Sequence, residues 1–304
     1  MSYLDSGGVQ IYYEVLGEGA PALMINGYGP PCQWVSRFYM PHFTDRFRCA
    51  TYDLRGIGRS GEPAEATEYN LDRLAADGMA VMDTMGWETA HVWGASLGAR
   101  IALAIALLAP HRVRSLVLNS IDTGAPNLEQ NKYAGIFRTR MQYRALAGLH
   151  GSDPERVARE TATYFYAPDE IGDHADTIAW YAEAVRKYPI RRAWPPFAET
   201  LRRIGDLDSY IASLPDAAEP QAGNWFSLFD KVHQVKTKTL ILQGHDDPII
   251  AVDSALFAFE QLENAEIRIF KRMKHSFSSR PDVLRQEADW MWAREREMAA
   301  GRRA

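Results

Sequence analysis

His91-Val92-Trp93-Gly94-Ala95-Ser96-Leu97-Gly98-Ala99-Arg100, followed by the Ala- and Leu-rich run 101–109, is the stretch whose reading decides the fold. The apolar run that ends in Trp93 reads as a buried strand, and the segment after Leu97 reads as a helix. Between them lies Gly94-Ala95-Ser96-Leu97-Gly98, of the form G-x-S-x-G. A serine on so sharp a strand-to-helix turn sits in strained backbone geometry with its hydroxyl presented outward. Small residues two before and two after it let neighbouring chain pass close. The helix that opens there also points backbone N–H groups toward developing negative charge.

Outward from this turn the chain alternates strand and helix. Towards the amino terminus, Val9–Leu16 alternates as a strand, and 22–26 and 49–53 are short apolar runs bounded by Gly or charged residues. The segment 71–85 has helical spacing, with Leu71, Leu74, Ala75, Met79, Met82 and Met85 on one face. Beyond the Ala-rich helix comes the apolar run 115–119. Strands alternating with helices predict a parallel sheet covered on both faces.

That rhythm breaks over residues 122–224, where no β-like run occurs and aromatic residues spread through helical stretches, with Pro189, Pro195, Pro196, Pro215 and Pro220 as punctuation. A helical lid inserted into a core of residues 1–121 and 225–304 is expected. Strand patterns resume at 239–243 and 265–270, and 281–297 reads as a closing amphipathic helix. The Arg-rich end, 301–304, reads as a frayed tail.

Composition narrows the function. A chain of 304 residues, 46% apolar, can bury one large core or two modest ones. With 34 basic and 39 acidic residues the net charge is −5, which disfavours nucleic acid as a partner. The longest apolar run, 101–109 between Arg100 and Pro110, is far short of the ~20 residues that span a bilayer. MSYLDSGGVQ at the amino terminus has neither the basic start nor the apolar centre of a secretory signal, so a cytoplasmic location is expected. Cys32 and Cys49 read as buried thiols, without the spaced partners of a zinc site.

A serine hydroxyl becomes a nucleophile only when a base takes its proton, and that base must be oriented by a carboxylate. His275 follows the strand pattern 265–270 and is the expected base. His245 stands in the same turn as the candidate acids, where reaching Ser96 and pairing with a neighbour together would be awkward. Three carboxylates end strand patterns at the same edge: Asp247 and Asp246 after Leu240-Ile241-Leu242-Gln243-Gly244, and Asp122 after 115–119. Acyl chemistry also needs oxyanion donors. The N–H of Leu97 is one; the loop Asn26-Gly27-Tyr28-Gly29-Pro30-Pro31 supplies the other, with Tyr28 nominated ahead of Gly29. Gly56-Ile57-Gly58-Arg59-Ser60-Gly61 matches G-x-G-x-x-G, yet no helix opens at it, as a dinucleotide site requires. It reads as a tight turn after Asp53.

Together, Asn26-Gly27, Tyr52-Asp53-Leu54-Arg55-Gly56-Ile57-Gly58-Arg59-Ser60, Gly94-Ala95-Ser96-Leu97-Gly98, Gly244-His245-Asp246-Asp247 and His275-Ser276 resemble the α/β-hydrolase superfamily. The likeness is to its lid-bearing esterases, enol-lactonases and carbon–carbon bond hydrolases. It covers roughly residues 5–120 and 225–295. It implies an α/β fold with an eight-stranded, mostly parallel sheet, helices on both faces and an inserted helical cap. It also implies a triad of Ser96, His275 and Asp247, the last chosen because it lies three residues after Gly244 and precedes Pro248. Asn26-Gly27 stands where the family commonly has His-Gly. Ser96 as nucleophile argues against the dehalogenase and epoxide hydrolase branches, which use Asp there.

The expected activity is hydrolysis of an ester or lactone of a medium-sized apolar substrate, since Phe137, Met141, Tyr143, Phe165, Trp180, Trp194 and Phe197 could line an apolar pocket under the lid. Carbon–carbon bond hydrolysis of a diketone-like substrate is the alternative. An acyltransferase or a ligand-binding protein on the same scaffold stands behind it. No cofactor is expected. The expected partner is a small-molecule substrate, with neither nucleic acid nor membrane, and a homo-oligomer is compatible with the sequence.

Overall fold

A two-glycine hairpin starts the sheet. In the computed structural model, which describes residues 2–123, 153–188, 228, 230–275, 277 and 280–301, β1 (Ser2–Ser6) turns through Gly7 and Gly8 into β2 (Val9–Leu16). Both glycines have positive φ, 60° and 85°, as the tight hairpin turn demands. The sequence reading began the sheet at Val9 and left β1 unassigned, although Gly-Gly between alternating runs was the available signal.

Six more strands follow: β3 (Ala20–Ile25), β4 (Phe47–Tyr52), β5 (Ala90–Ala95), β6 (Val113–Asn119), β7 (Thr239–Gly244) and β8 (Ala265–Phe270). The order across the sheet is β1-β2-β4-β3-β5-β6-β7-β8. The β1–β2 and β2–β4 pairs are antiparallel and every later pair is parallel. The central strands are buried on both faces, as a covered parallel sheet requires.

Two helical layers cover it. Period-two alternation sends Leu23 and Ile25 to one face and Ala22 and Met24 to the other. On the first face lie α2 (Leu71–Thr84), α3 (Leu97–Leu108) and α6 (Val252–Gln261). Asn70 caps α2 by accepting the Arg73 N–H at 3.0 Å. Leu71, Leu74, Ala75 and Met82 face the core as the spacing predicted, whereas Met79 and Met85 are only partly buried. Gly78 and Asp77 occupy the buried stripe instead, Asp77 because it forms a two-pronged ion pair with the buried Arg55 (2.7 and 2.8 Å).

The other face carries α1 (Gln33–Phe38) and α7 (Pro281–Gly301). The sequence reading assigned neither α1 nor α6, and it ended the last helix at 297. Of the tail read as frayed, Gly301 is helical, and 302–304 lie outside the described residues.

Between β6 and β7 the described part of the insertion consists of short turns and two helices, α4 (Pro154–Phe165) and α5 (Ala175–Lys187). Asp153 caps α4 through the Glu155 N–H (3.1 Å), with Pro154 in the first turn, where its missing N–H is harmless. Both helices dock on α1. The Trp34 ring lies 5.5 Å from Phe165, 6.0 Å from Trp180 and 5.6 Å from Tyr181. Phe137, Met141, Tyr143, Trp194 and Phe197, and the five lid prolines, lie outside the described residues. No described helix is long and apolar enough to cross a membrane.

Like Asp77, Glu287 is fully enclosed. On α7 it lies beneath β5 and β6, where it meets the Trp93 indole N–H and the Asn119 amide. Burial pushes its carboxyl from an ordinary 4.5 up to about 8. Between those two values the native state holds a proton that the unfolded chain has released, so stability falls as pH rises through that window. The unfolding free energy taken from denaturant titrations across it should decline in the parent protein by up to roughly 1.4 kcal/mol per pH unit. Glu287→Gln, which keeps the shape and cannot ionise, should lose that slope; an unchanged slope would assign it to other groups.

Candidate active site

Because β3, β5, β6, β7 and β8 run parallel, the residues that follow them all emerge at one edge of the sheet. The loop 26–31, Ser96, Asp122, Asp247 and His275 are brought to this edge from five different strands.

Ser96 occupies the turn between β5 and α3 with φ 55° and ψ −119°, a positive-φ conformation that non-glycine residues rarely adopt. It is held there by its N–H, which donates to the Asn119 carbonyl (2.8 Å), and by its own carbonyl, which accepts the Ala99 N–H (2.9 Å). The flanking glycines have specific reasons. A Cβ on Gly94 would lie 2.2 Å from the Gly98 carbonyl oxygen, and one on Gly98 would lie 2.1 Å from the Ile25 oxygen. No side chain fits at either place. Leu97 opens α3, so its N–H has no acceptor within the helix.

The Asn26 side chain organises the loop after β3. Its Nδ2 donates to the Pro30 and Pro31 carbonyls (2.9 and 3.2 Å), and its Oδ1 accepts the Gly27 N–H (2.9 Å). Asn at this position thereby holds the loop in a curl beside the Ser96 turn. A Cβ on Gly27 would come within 3.1 Å of Ser96 Cβ and 3.7 Å of its hydroxyl oxygen. Tyr28, half-buried, and Gly29, at φ 111°, follow directly.

The three candidate acids separate clearly. Asp247 is buried, and its Oδ1 accepts the N–H groups of Ile249 (2.8 Å) and Ile250 (2.9 Å). Its Oδ2 accepts from His275 Nδ1 at 2.8 Å and from Gln243 Nε2 at 3.3 Å. Asp246 instead meets the exposed His245 ring (2.6 Å), and Asp122 forms an ion pair with Arg100. His275 is thus paired with Asp247, which leaves Nε2 as its remaining ring nitrogen.

Gln243 is a contributor that sequence reasoning passed over. A polar residue inside the otherwise apolar run 240–244 was the signal. Of the lid residues named from sequence, Phe165 and Trp180 lie among the described residues. Both pack on Trp34, and Phe165 also lies 6.1 Å from the His275 ring.

The G-x-G-x-x-G segment serves the core. Gly56 and Gly58 have φ of 73° and 62°, and the next α-helix, α2, starts only at Leu71. The turn wraps the Asp53 carboxylate, which accepts the N–H groups of Cys32 (2.6 Å) and Arg59 (2.8 Å). Among the described residues no three His, Cys, Asp or Glu side chains converge as a metal site would need.

Residues 20–278 match the family model described as alpha/beta hydrolase fold. The chain belongs to the α/β-hydrolase family. A protein of Azorhizobium caulinodans named for carbamate hydrolysis (RutD) is 27% identical over 94% of this chain and 96% of its own length. The 2-hydroxymuconate semialdehyde hydrolase of a Pseudomonas species is 25% identical over 88% of this chain and 84% of its own. Among solved structures, a meta-cleavage product hydrolase from Pseudomonas fluorescens superimposes with a TM-score of 0.72 at 20% identity, covering 98% of both chains. The last comparison bears on the fold alone. This α/β-hydrolase is accordingly a hydrolase by family.

The glycine contacts predict a sharp contrast. Gly98→Ala drives a methyl group into the Ile25 carbonyl and should destabilise the protein by roughly 1–3 kcal/mol. Gly172→Ala, with nothing within 4 Å of the added carbon, should leave the melting temperature unchanged. Equal melting temperatures for the two variants would contradict this packing.

Proposed function

We propose that the chain is a serine hydrolase that cleaves an ester or lactone of a medium-sized apolar substrate through an acyl-enzyme. The observation that carries this reading is the 2.8 Å contact between His275 Nδ1 and Asp247 Oδ2, at the sheet edge where the strained Ser96 turn emerges. In this reading Ser96 Oγ attacks the carbonyl carbon while His275 Nε2 takes its proton. Asp247 keeps Nδ1 protonated and steadies the imidazolium. The N–H groups of Leu97 and Tyr28 receive the oxyanion of the tetrahedral intermediate. His275 then returns the proton to the departing alkoxide, and a water activated by the same imidazole releases the acid. The reaction requires no cofactor, and its partner is a small molecule. Residues 122–224 act as a helical cap that excludes water and walls the pocket, with the Phe165 ring 6.1 Å from the His275 imidazole.

Hydrolysis of a carbon–carbon bond in a diketone-like substrate is the second reading. It is favoured by the name of the 2-hydroxymuconate semialdehyde hydrolase among the relatives. It uses the same three residues on a different acyl group.

Incubation with a fluorophosphonate probe should label the parent protein on Ser96, and Ser96→Ala should abolish both labelling and turnover with little change in stability. Labelling that survives in Ser96→Ala would refute the nucleophile. A panel of p-nitrophenyl esters, lactones and vinylogous diketones separates the two substrate classes.

The acid is tested separately. Asp247→Asn should lower turnover by a factor on the order of 10⁴, the size of the corresponding change in the serine-protease triad. Asp122→Asn, which disturbs the pair with Arg100 and leaves the His275–Asp247 contact in place, should do far less.

A further inference from the structure

The last turn of a helix leaves carbonyl groups that the helix cannot satisfy. In α4 the Ala162 carbonyl is bonded by the Tyr166 N–H at 2.9 Å. The next two carbonyls are met from outside the insertion, by consecutive residues of the loop between β8 and α7. Lys274 Nζ donates to the Thr163 carbonyl at 2.7 Å, and the His275 backbone N–H donates to the Tyr164 carbonyl at 3.1 Å. The third residue of that turn, Phe165, lays its ring 6.1 Å from the His275 imidazole at an interplanar angle of 34°.

The same loop is anchored on its other side by the core. The Met273 carbonyl accepts the Asp246 N–H at 3.0 Å, and the Phe270 carbonyl accepts the His245 N–H at 2.8 Å. These bonds tie the loop to the turn that carries Asp247. The residue that bears the imidazole therefore sits between the Asp247 turn and the end of α4. One side fixes its partner, and the other fixes its main chain and one ring face.

We propose that the C-terminal turn of α4 positions His275 for catalysis, with Lys274 as the positioning residue that couples the docked insertion to the base. This rests on the reading of His275 as general base. An imidazole that must reach both Asp247 and a serine hydroxyl tolerates little displacement, since misplacement by about 1 Å can cost about 10²-fold in rate. Lys274 touches no reacting atom and acts only through the place it gives to its neighbour. Its ammonium answers the negative end of the α4 dipole, so a neutral side chain of similar length loses both the hydrogen bond and the charge interaction.

The experiment compares Lys274→Met and Lys274→Arg in the full chain. It measures kcat and KM for p-nitrophenyl butyrate, the melting temperature, and the exchange of the low-field Nδ1 proton of His275, assigned by its loss in His275→Gln. Lys274→Met should lower kcat by roughly tenfold with KM little changed and speed exchange of the Nδ1 proton, and Lys274→Arg should restore both. A proton signal and kcat that match the parent overturn the inference, whether or not the melting temperature falls. Should the parent protein neither hydrolyse the ester nor take the fluorophosphonate on Ser96, the hydrolase reading fails, and the proton exchange still decides whether Lys274 positions His275.

Discussion

The approach of Gly98 to the Ile25 and Asn26 carbonyls, close enough that no Cβ could be accommodated, seats α3 against the end of β3. That seating fixes the path of the chain on both sides of Ser96. With α3 pressed onto β3, and Gly94 pressed onto Gly98, the strand can join the helix only through a residue with positive φ. Ile25 pairs with Gly94 across the sheet, and Ala95 pairs with Asn119, whose carbonyl receives the Ser96 N–H. Three parallel strands and one helix N-terminus are thus locked together around one strained residue. The cost of that backbone, of order 1–3 kcal/mol, is offset by the surrounding packing.

Charge enclosed in the core is satisfied locally. Arg55 and Asp77 bind each other in the two-pronged geometry that best offsets their desolvation, and Asp53 is wrapped by main-chain N–H groups and by Arg59. Arg59 stacks over the Tyr12 ring at 3.5 Å and lies 5.1 Å from that of Tyr188, at the end of α5. Burial pushes the Cys49 thiol up to about 12 and also raises that of Cys32, so both thiols stay protonated and serve as packing groups.

The inserted helices are joined to the core by two kinds of contact. Trp34, Phe38, Phe165, Trp180 and Tyr181 form an aromatic cluster across the junction with α1. The tilted and edge-on ring arrangements within it are those that the ring quadrupoles favour. In the same C-terminal turn of α4 that carries Phe165, the second contact is polar and directional, from the Lys274 ammonium and the His275 amide to two helix-end carbonyls. The apolar cluster supplies adhesion and the hydrogen bonds supply register, which is why the end of α4 meets the His275 loop at a defined place.

Local chemistry made much of this legible in the residues. G-x-S-x-G between a strand run and an Ala-rich run is readable because the glycines and the strained serine belong to one short turn, and alternation together with short apolar runs located seven of the eight strands. Gly7-Gly8 carried the signal for the eighth. Residue pattern by itself left Asp122, Asp246 and Asp247 open, because all three follow strands ending at one edge; the family resemblance pointed to Asp247, and the pairing of β7 with β8 brings that carboxylate to His275. The same holds for Asp77 in place of Met79 and Met85 on the buried stripe of α2, which depends on where Arg55 arrives from β4. By itself the sequence determined the fold family, the strand-to-helix turn at Ser96 and the order of the candidate groups, since each is written in spacing along a few residues. The tertiary structure decided the contact of His275 with Asp247, 28 residues away, and the docking of α4 on the His275 loop, where Lys274 and Thr163 are 111 residues apart, because both meetings depend on strand order and helix packing.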